Sequence, residues 1–152
     1  EAVLAACRDG GLKLATAESC TGGLISGCLT AVAGSSDVVE RGFVTYTNEA
    51  KGQMLGVEAV LFDLHGAVSE EVARAMAEGA INNSDAQISI AVTGIAGPSG
   101  GSSEKPVGLV HIAAAKDGAE TLHERHVYSG DREAVRTKTV SAALEMVLGL
   151  AG

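Results

Sequence analysis

A core built almost without aromatic rings is the tightest constraint on this chain. Of its 152 residues two are Phe, two are Tyr and none is Trp, whereas 20 are Gly and only two are Pro. The interior must therefore be assembled from Ala, Val, Leu and Ile. Small side chains permit close backbone packing and the tight turns that cradle phosphates. A chain of this length amounts to about one domain and buries roughly 70% of the surface its unfolded form exposes, so residues 1–152 are expected to form one domain around one sizeable core. Hydrophobic residues make up 46% and charged residues 20%, ordinary globular usage that excludes a disordered or fibrous chain.

Eleven Lys and Arg against nineteen Asp and Glu leave a net charge of -8. Nucleic-acid binding draws on surplus cations that release condensed counterions, so no nucleic-acid partner is expected. No apolar run approaches the roughly 20 residues that span a bilayer, and no charged-then-apolar segment opens the chain. A cytoplasmic protein without membrane association is expected. Cys7, Cys20 and Cys28 are odd in number and form no C-x-x-C, which suits neither a disulfide framework nor a zinc knuckle. The chain begins at Glu1 without a methionine, which leaves room for residues or a further domain upstream.

Periodicity and punctuation predict a helix over Ala2–Arg8, a strand over Lys13–Ala17 and a helix from Leu24 to Ala31, broken by Gly34-Ser35-Ser36. Val38–Tyr46 alternates as a strand, and Asn48 is placed to cap a helix running to Leu55. Ser69 before Glu70 and Glu71 marks a helix start, followed by Val72, Ala73, Met76, Ala77 and Ala80 at helical spacing. Strands over Ile88–Val92, Val107–Ala115 and Thr121–Tyr128 follow. Asp131 then caps a last helix whose apolar face is read as Val135, Val140, Leu144 and Leu148. This order implies an α/β fold, a three-layer α/β/α sandwich with a mixed central sheet.

Four segments gather polar residues where strands end, the usual place for ligands on an open α/β sheet. In Ser19-Cys20-Thr21-Gly22-Gly23 a hydroxyl meets a helix start, which suits a nucleophile beside an oxyanion hole, although spacing alone favours Ser19 or Thr21 as a simple cap. The cysteines are read as small buried side chains, since nothing near them in sequence lowers a thiol pKa. In Tyr46-Thr47-Asn48-Glu49-Ala50-Lys51 a Tyr and a Lys can point at one place, and a buried Lys can serve as base to a Ser; alone, Lys51 also reads as a solvated cation. The loop from Thr93 through Gly94, Gly97, Gly100 and Gly101 to Lys105 offers amides for an anion but matches neither a P-loop nor a dinucleotide fingerprint. Arg132 and Arg136 stand near a helix N-terminus, where cations are unfavourable for the dipole, so anion binding is a natural use for them. His123 and His126 face opposite sides of a strand, His65 and His111 stand alone, and no metal is expected.

Read together, Ala17 to Gly23, Gly42 through Lys51, Gly66-Ala67-Val68-Ser69 and Thr93 to Gly108 resemble the nicotinamide mononucleotide amidase family, also known as the C-terminal domain of the competence/damage-inducible protein CinA. The resemblance runs from about Leu12 to Leu148. It implies hydrolysis of the carboxamide of nicotinamide mononucleotide to nicotinate mononucleotide and ammonia, a salvage step of NAD metabolism, with no cofactor. It also implies Ser19 as nucleophile, Lys51 as base, Tyr46 as proton relay or orienting group, and a substrate-binding role for Thr93. Thr21, Gly22, Gly23, Gly94, Gly97, Gly100, Gly101, Lys105 and one or both of Arg132 and Arg136, with Arg132 preferred, complete the expected substrate site, the oxyanion being assigned to amides near Gly22 and Gly23. The expected partner is a small pyridine nucleotide, bound by a homo-oligomer. Many members carry an N-terminal domain linked to ADP-ribose hydrolysis, and none of it is expected within these 152 residues. Two other readings stay open: a non-catalytic nucleotide-binding regulatory module, and an amidase for a different nucleotide or pyridine amide.

Overall fold

The computed structural model describes residues 1–152. In chain order its elements are α1 (Ala2–Asp9), β1 (Leu14–Glu18), α2 (Leu24–Thr30), a 3-10 turn at Ser35–Asp37, β2 (Val39–Val44), α3 (Asn48–Leu55), α4 (Ala59–His65), α5 (Glu70–Asn82), β3 (Ile88–Gly94), β4 (Leu109–Lys116), β5 (Leu122–Val127) and α6 (Arg132–Ala151). The strands form one sheet ordered β2-β1-β3-β4-β5. β1 runs parallel to both β2 and β3, and β4 runs antiparallel to β3 and β5. With α1, α2 and α6 on one face and α3 to α5 on the other, the chain is the expected three-layer α/β/α sandwich with a mixed sheet.

Alternation along the central strands sorts side chains by size. Leu14, Ile88, Ile90, Val92, Val110 and Ile112 pack on the α6 side. On the α5 side stand Ala15, Ala17, Ala91, Ala113 and Ala115. An alanine-paved sheet face lets a helix settle close, and α5 does so: Val72, Ala73, Met76, Ala77 and Ala80 are all fully buried. The Ser89 hydroxyl on the same face donates to the Ala77 carbonyl at 2.6 Å. Gly79 brings α3 equally close, because a Cβ there would run into the Leu55 carbonyl oxygen. Small side chains on the sheet and on α5 thus let α3, which carries Lys51, lie tight against α5.

Helix starts follow the sequence cues closely. The Val72 amide donates to Ser69 Oγ at 3.3 Å and the Ala134 amide to an Asp131 carboxylate oxygen at 2.9 Å. At α3 the cap is Thr47, which accepts from the Ala50 amide at 3.0 Å; Asn48 is the first helical residue, because the chain stays extended through Thr47. β2 ends at Val44 rather than Tyr46, and β3 continues to Gly94. No separate expectation covered α4, a seven-residue helix without a fully buried residue, whose pattern has no core stripe to reveal it.

The apolar face assigned to α6 needs correction. Val135 is buried, but Val140 and Leu144 are half-buried and Leu148 is exposed; the buried stripe is Val135, Thr139, Ala143, Met146, Val147 and Ala151. Small residues occupy the line of closest approach to the sheet, and the larger leucines flank it. Cys28 is likewise exposed, not buried like Cys7 and Cys20. No helix is long and apolar enough to cross a membrane.

A Gly79→Ala substitution should separate α3 from α5. Overpacking of this kind costs about 1–3 kcal/mol, which for a chain of this length lowers Tm by roughly 2–4 °C per kcal/mol. Thermal unfolding reads this directly, and an unchanged Tm would show that the two helices have room to part.

Candidate active site

β1 lies between β2 and β3, and the chain reaches β2 through α2 on one face but crosses to β3 through α3 to α5 on the other. The carboxyl ends of β1 and β3 therefore flank a topological switch point, where open α/β sheets hold their ligands. A cavity of about 280 Å³ opens there. Among the residues expected from sequence, Ser19, Tyr46, Lys51, Thr93, Gly94, Gly97, Gly100 and Arg132 line it; Thr21, Gly22, Gly23, Gly101, Lys105 and Arg136 do not. Asn48, Cys20, Ser99 and the Ala67-Val68 pair also line it without having been assigned roles. Ala67 and Val68 belong to the Gly66-Ala67-Val68-Ser69 stretch that carried the family resemblance, but no role was attached to either.

Lys51 sits at the bottom of this arrangement, 1% exposed. Its Nζ is 3.2 Å from Ser19 Oγ and donates to the Thr45 carbonyl at 3.0 Å. No carboxylate lies within salt-bridge distance of it. Burial accordingly pushes the Lys51 amine below its ordinary pKa of 10.5. A neutral amine at this distance has a lone pair that can take the Ser19 proton, the geometry required of a nucleophile and its base. Ser19 follows directly on β1, and its own amide donates to the Val92 carbonyl at 3.2 Å, so the β1–β3 pairing fixes the nucleophile's backbone.

Beyond Ser19 the turn is held by a group the sequence reading had not singled out. The fully buried Glu18 carboxylate accepts from Thr21 Oγ1 at 2.6 Å, from the Ile25 amide at 2.8 Å and from the Ser26 amide at 3.0 Å. It fills the start of α2, where free amides for a substrate oxyanion were expected. Gly22 and Gly23 adopt positive φ of 57° and 109°, values L side chains rarely take, and the Gly22 amide donates back to the Ser19 carbonyl at 3.0 Å. The Ile25 and Ser26 amides at the start of α2 are thus already taken. The Cys20 amide, immediately after Ser19, has no partner and belongs to a residue lining the cavity.

The two arginines separate. Arg132 lines the cavity, donating from Nη1 to the Gly97 carbonyl at 2.8 Å and from Nη2 to the Tyr46 hydroxyl at 3.0 Å. Arg136 instead donates to the Cys20 and Thr21 carbonyls. The Tyr46 hydroxyl therefore meets Arg132, with no hydrogen bond to Ser19 or Lys51, which suits the orienting role better than the relay. Thr93 Oγ1 donates to the Ala67 carbonyl at 2.9 Å and ties the end of β3 to the loop before α5. Lys105 is spent on the His65 carbonyl outside the cavity.

Cys20 borders the cavity, but burial pushes its thiol up to about 11, so it is a protonated, weak nucleophile at neutral pH. His111 does not stand alone: its Nδ1 lies 2.8 Å from His123 Nε2, and burial, then His123, push it down to about 4. Strand pairing across β4 and β5 creates this contact, which spacing within either strand cannot reveal.

With this site in place, comparison with known proteins decides the family. The family model of the CinA C-terminal domain matches residues 1–151. The chain belongs to the CinA C-terminal domain family. It is 49% identical over 145 residues to a nicotinamide-nucleotide amidohydrolase, PncC, of Escherichia coli K12, covering 95% of this chain and 88% of that protein. A CinA-like protein of Syntrophobacter fumaroxidans is 51% identical over 137 residues, covering 90% of this chain but 32% of that protein. The chain thus spans about a third of the length of such longer CinA-like relatives. Among solved structures, the competence/damage inducible protein CihA of Agrobacterium tumefaciens superposes with a TM-score of 0.93 at 49% identity, covering 100% of this chain and 97% of that one.

Glu18→Gln should loosen the nucleophile turn, because an amide group cannot accept at both positions and one buried N–H loses its acceptor. The cost of such a loss is about 1–3 kcal/mol, seen as a Tm lowered by several degrees. Stability equal to that of the unsubstituted protein would mean that water replaces the carboxylate.

Proposed function

We propose that this CinA domain hydrolyses the carboxamide of nicotinamide mononucleotide to nicotinate mononucleotide and ammonia, with Ser19 as nucleophile and Lys51 as its base. The observation that carries this reading is the Lys51 amine, buried without a carboxylate and 3.2 Å from Ser19 Oγ at the floor of the cavity. The amidohydrolase name of the Escherichia coli relative, nearly coextensive with this chain, supports it. In the cell such a step would serve NAD salvage.

Ser19 Oγ attacks the carboxamide carbon while its proton passes to the neutral Lys51 Nζ. The positively charged pyridine ring draws electrons from that carbon, and the negative charge gathering on the carboxamide oxygen faces the Cys20 amide. Lys51 then returns the proton to the leaving nitrogen as the C–N bond breaks, releasing ammonia. Water attacks the resulting ester, Lys51 again takes the proton, and the carboxylate product leaves as Ser19 recovers its hydrogen.

Charge supports a phosphate-bearing substrate. In a chain of net charge -8, the overall field does not attract anions, so a local cation must hold one. Arg132 has no carboxylate within salt-bridge distance, and with the loop at Gly94, Gly97 and Gly100 it forms the cavity wall. Tyr46, anchored by Arg132, orients the bound ring. Thr93 holds the opposite wall through Ala67.

Ammonia release from nicotinamide mononucleotide, compared with free nicotinamide, tests the reading. Ser19→Ala should abolish release while the nucleotide still binds, and Cys20→Ala should stay largely active; the reverse ranking would move the nucleophile to the cysteine. Arg132→Ala should weaken handling of the nucleotide roughly ten- to hundredfold, the value of one charge-assisted phosphate contact, with a much smaller loss on phosphate-free nicotinamide riboside. Equal losses on the two substrates would remove the phosphate from the assignment.

Lys51 gives a prediction of opposite signs. Lys51→Arg should be nearly inactive, since a guanidinium keeps its proton. Lys51→Met should also be inactive yet more stable, by about 1 kcal/mol. The folded amine binds its proton less readily than the unfolded one, so its stability penalty is largest at low pH and fades as pH rises toward 10.5. The Tm advantage of Lys51→Met should shrink along the same path. A constant advantage across pH would mean that Lys51 is charged in both states.

A further inference from the structure

Arg136 is a cation beside the nucleophile turn that the reaction above leaves without a task. It is half-buried. Its Nε donates to the Cys20 carbonyl at 3.1 Å and its Nη2 to the Thr21 carbonyl at 3.2 Å. Nη2 also stands 3.6 Å from where a Gly22 Cβ would be, so the guanidinium lies directly against the turn. No carboxylate is within salt-bridge distance of it, and it does not line the cavity.

Peptide planarity carries this grip further than the two contacts. Fixing the Thr21 carbonyl fixes the Gly22 N–H on the opposite edge of the same plane, and that N–H donates to the Ser19 carbonyl at 3.0 Å. Fixing the Ser19 carbonyl in turn sets the direction of the Cys20 N–H across its own peptide. The second grip, on the Cys20 carbonyl, closes the plane between. Three successive peptides after the nucleophile are thereby immobilised from the α6 side. Glu18 holds the far end of the same turn through Thr21 Oγ1 and the Ile25 and Ser26 amides.

We propose that Arg136 is a positioning residue for the amidase reaction: it holds the Cys20 N–H in place for the oxyanion and takes no part in gripping the phosphate. This rests on the Ser19 amidase reading. It also divides the two arginines near the start of α6 by task, Arg132 for the substrate and Arg136 for the nucleophile turn.

The test compares Arg136→Gln and Arg136→Lys in steady-state hydrolysis of nicotinamide mononucleotide, with Tm recorded for each. Misplacing one oxyanion donor typically lowers kcat by about 10²–10³, so Arg136→Gln should lose about a hundredfold in kcat with KM within about twofold. Arg136→Lys, which keeps one charged donor, should recover part of the loss, and added guanidinium ion should partly rescue Arg136→Ala. A KM rise with kcat preserved would make Arg136 a phosphate ligand and overturn the proposal, as would kinetics unchanged in all three variants. A second readout, labelling of Ser19 by a fluorophosphonate followed by mass spectrometry, keeps the two readings apart. There Ser19 Oγ forms a bond to phosphorus, fluoride leaves and Lys51 takes the proton, with the phosphoryl oxygen facing the Cys20 amide. Slower labelling of Arg136→Gln supports the positioning role even if the intact protein releases no ammonia, an outcome that would sink only the substrate reading. Labelling at the unsubstituted rate in Arg136→Gln overturns the positioning role even where ammonia is released.

Discussion

An amine sealed inside a protein with no carboxylate to pair with is costly to keep charged, and the architecture of this chain is arranged around one. Lys51 comes from α3, Ser19 from the end of β1 and the Thr45 carbonyl from the segment after β2. For the three to meet in a water-poor pocket, α3 must lie close to α5 and α5 close to the sheet. Gly79 allows the first approach and the alanines of β1, β3 and β4 allow the second. Larger side chains on that face would add hydrophobic burial at the expense of the distance on which proton transfer depends. The alanines on that face and Gly79 on α5 follow from that geometry.

The cations near the cavity do different work despite their proximity. Lys51 is poised to lose its proton, Arg136 is spent on backbone carbonyls, and Arg132 keeps a face toward the cavity while anchored to Gly97 and Tyr46. None has a carboxylate partner, although acids outnumber bases across the chain. Glu18, next to the nucleophile, is occupied by a hydroxyl and two amides. No Asp or Glu lines the cavity itself, which leaves it receptive to an anion.

Much of this was legible from local pattern. The layered fold followed from the order of elements, whereas Ser19, Tyr46 and Lys51 were picked out by the family resemblance, since local pattern alone fits a helix cap and a solvated cation as well. Local pattern was silent on size and on long-range contact. The α6 face was misassigned because periodicity weighs hydrophobicity, whereas the sheet selects Thr139 and Ala143 over Leu144 and Leu148 for their small bulk. Arg132 and Arg136, one helical turn apart, look alike in sequence and are separated only by contacts that span 35 residues or more. Glu18 gave no sign of its role because its partners are the amides where an oxyanion site was sought. The His111–His123 pair arises from strand register, which neither strand encodes alone.

The central claim is that Lys51 can be a neutral base next to Ser19, and direct titration of its side chain tests it without reference to any substrate. In protein carrying labelled lysine, the Nζ and Cε resonances of Lys51, assigned by their loss in Lys51→Met, can be followed with pH by NMR. They should titrate below the exposed lysines, Lys13 and Lys138, and below 10.5. A Lys51 that titrates together with those exposed side chains would contradict it, since the amine would then stay protonated where it is required to accept the Ser19 proton.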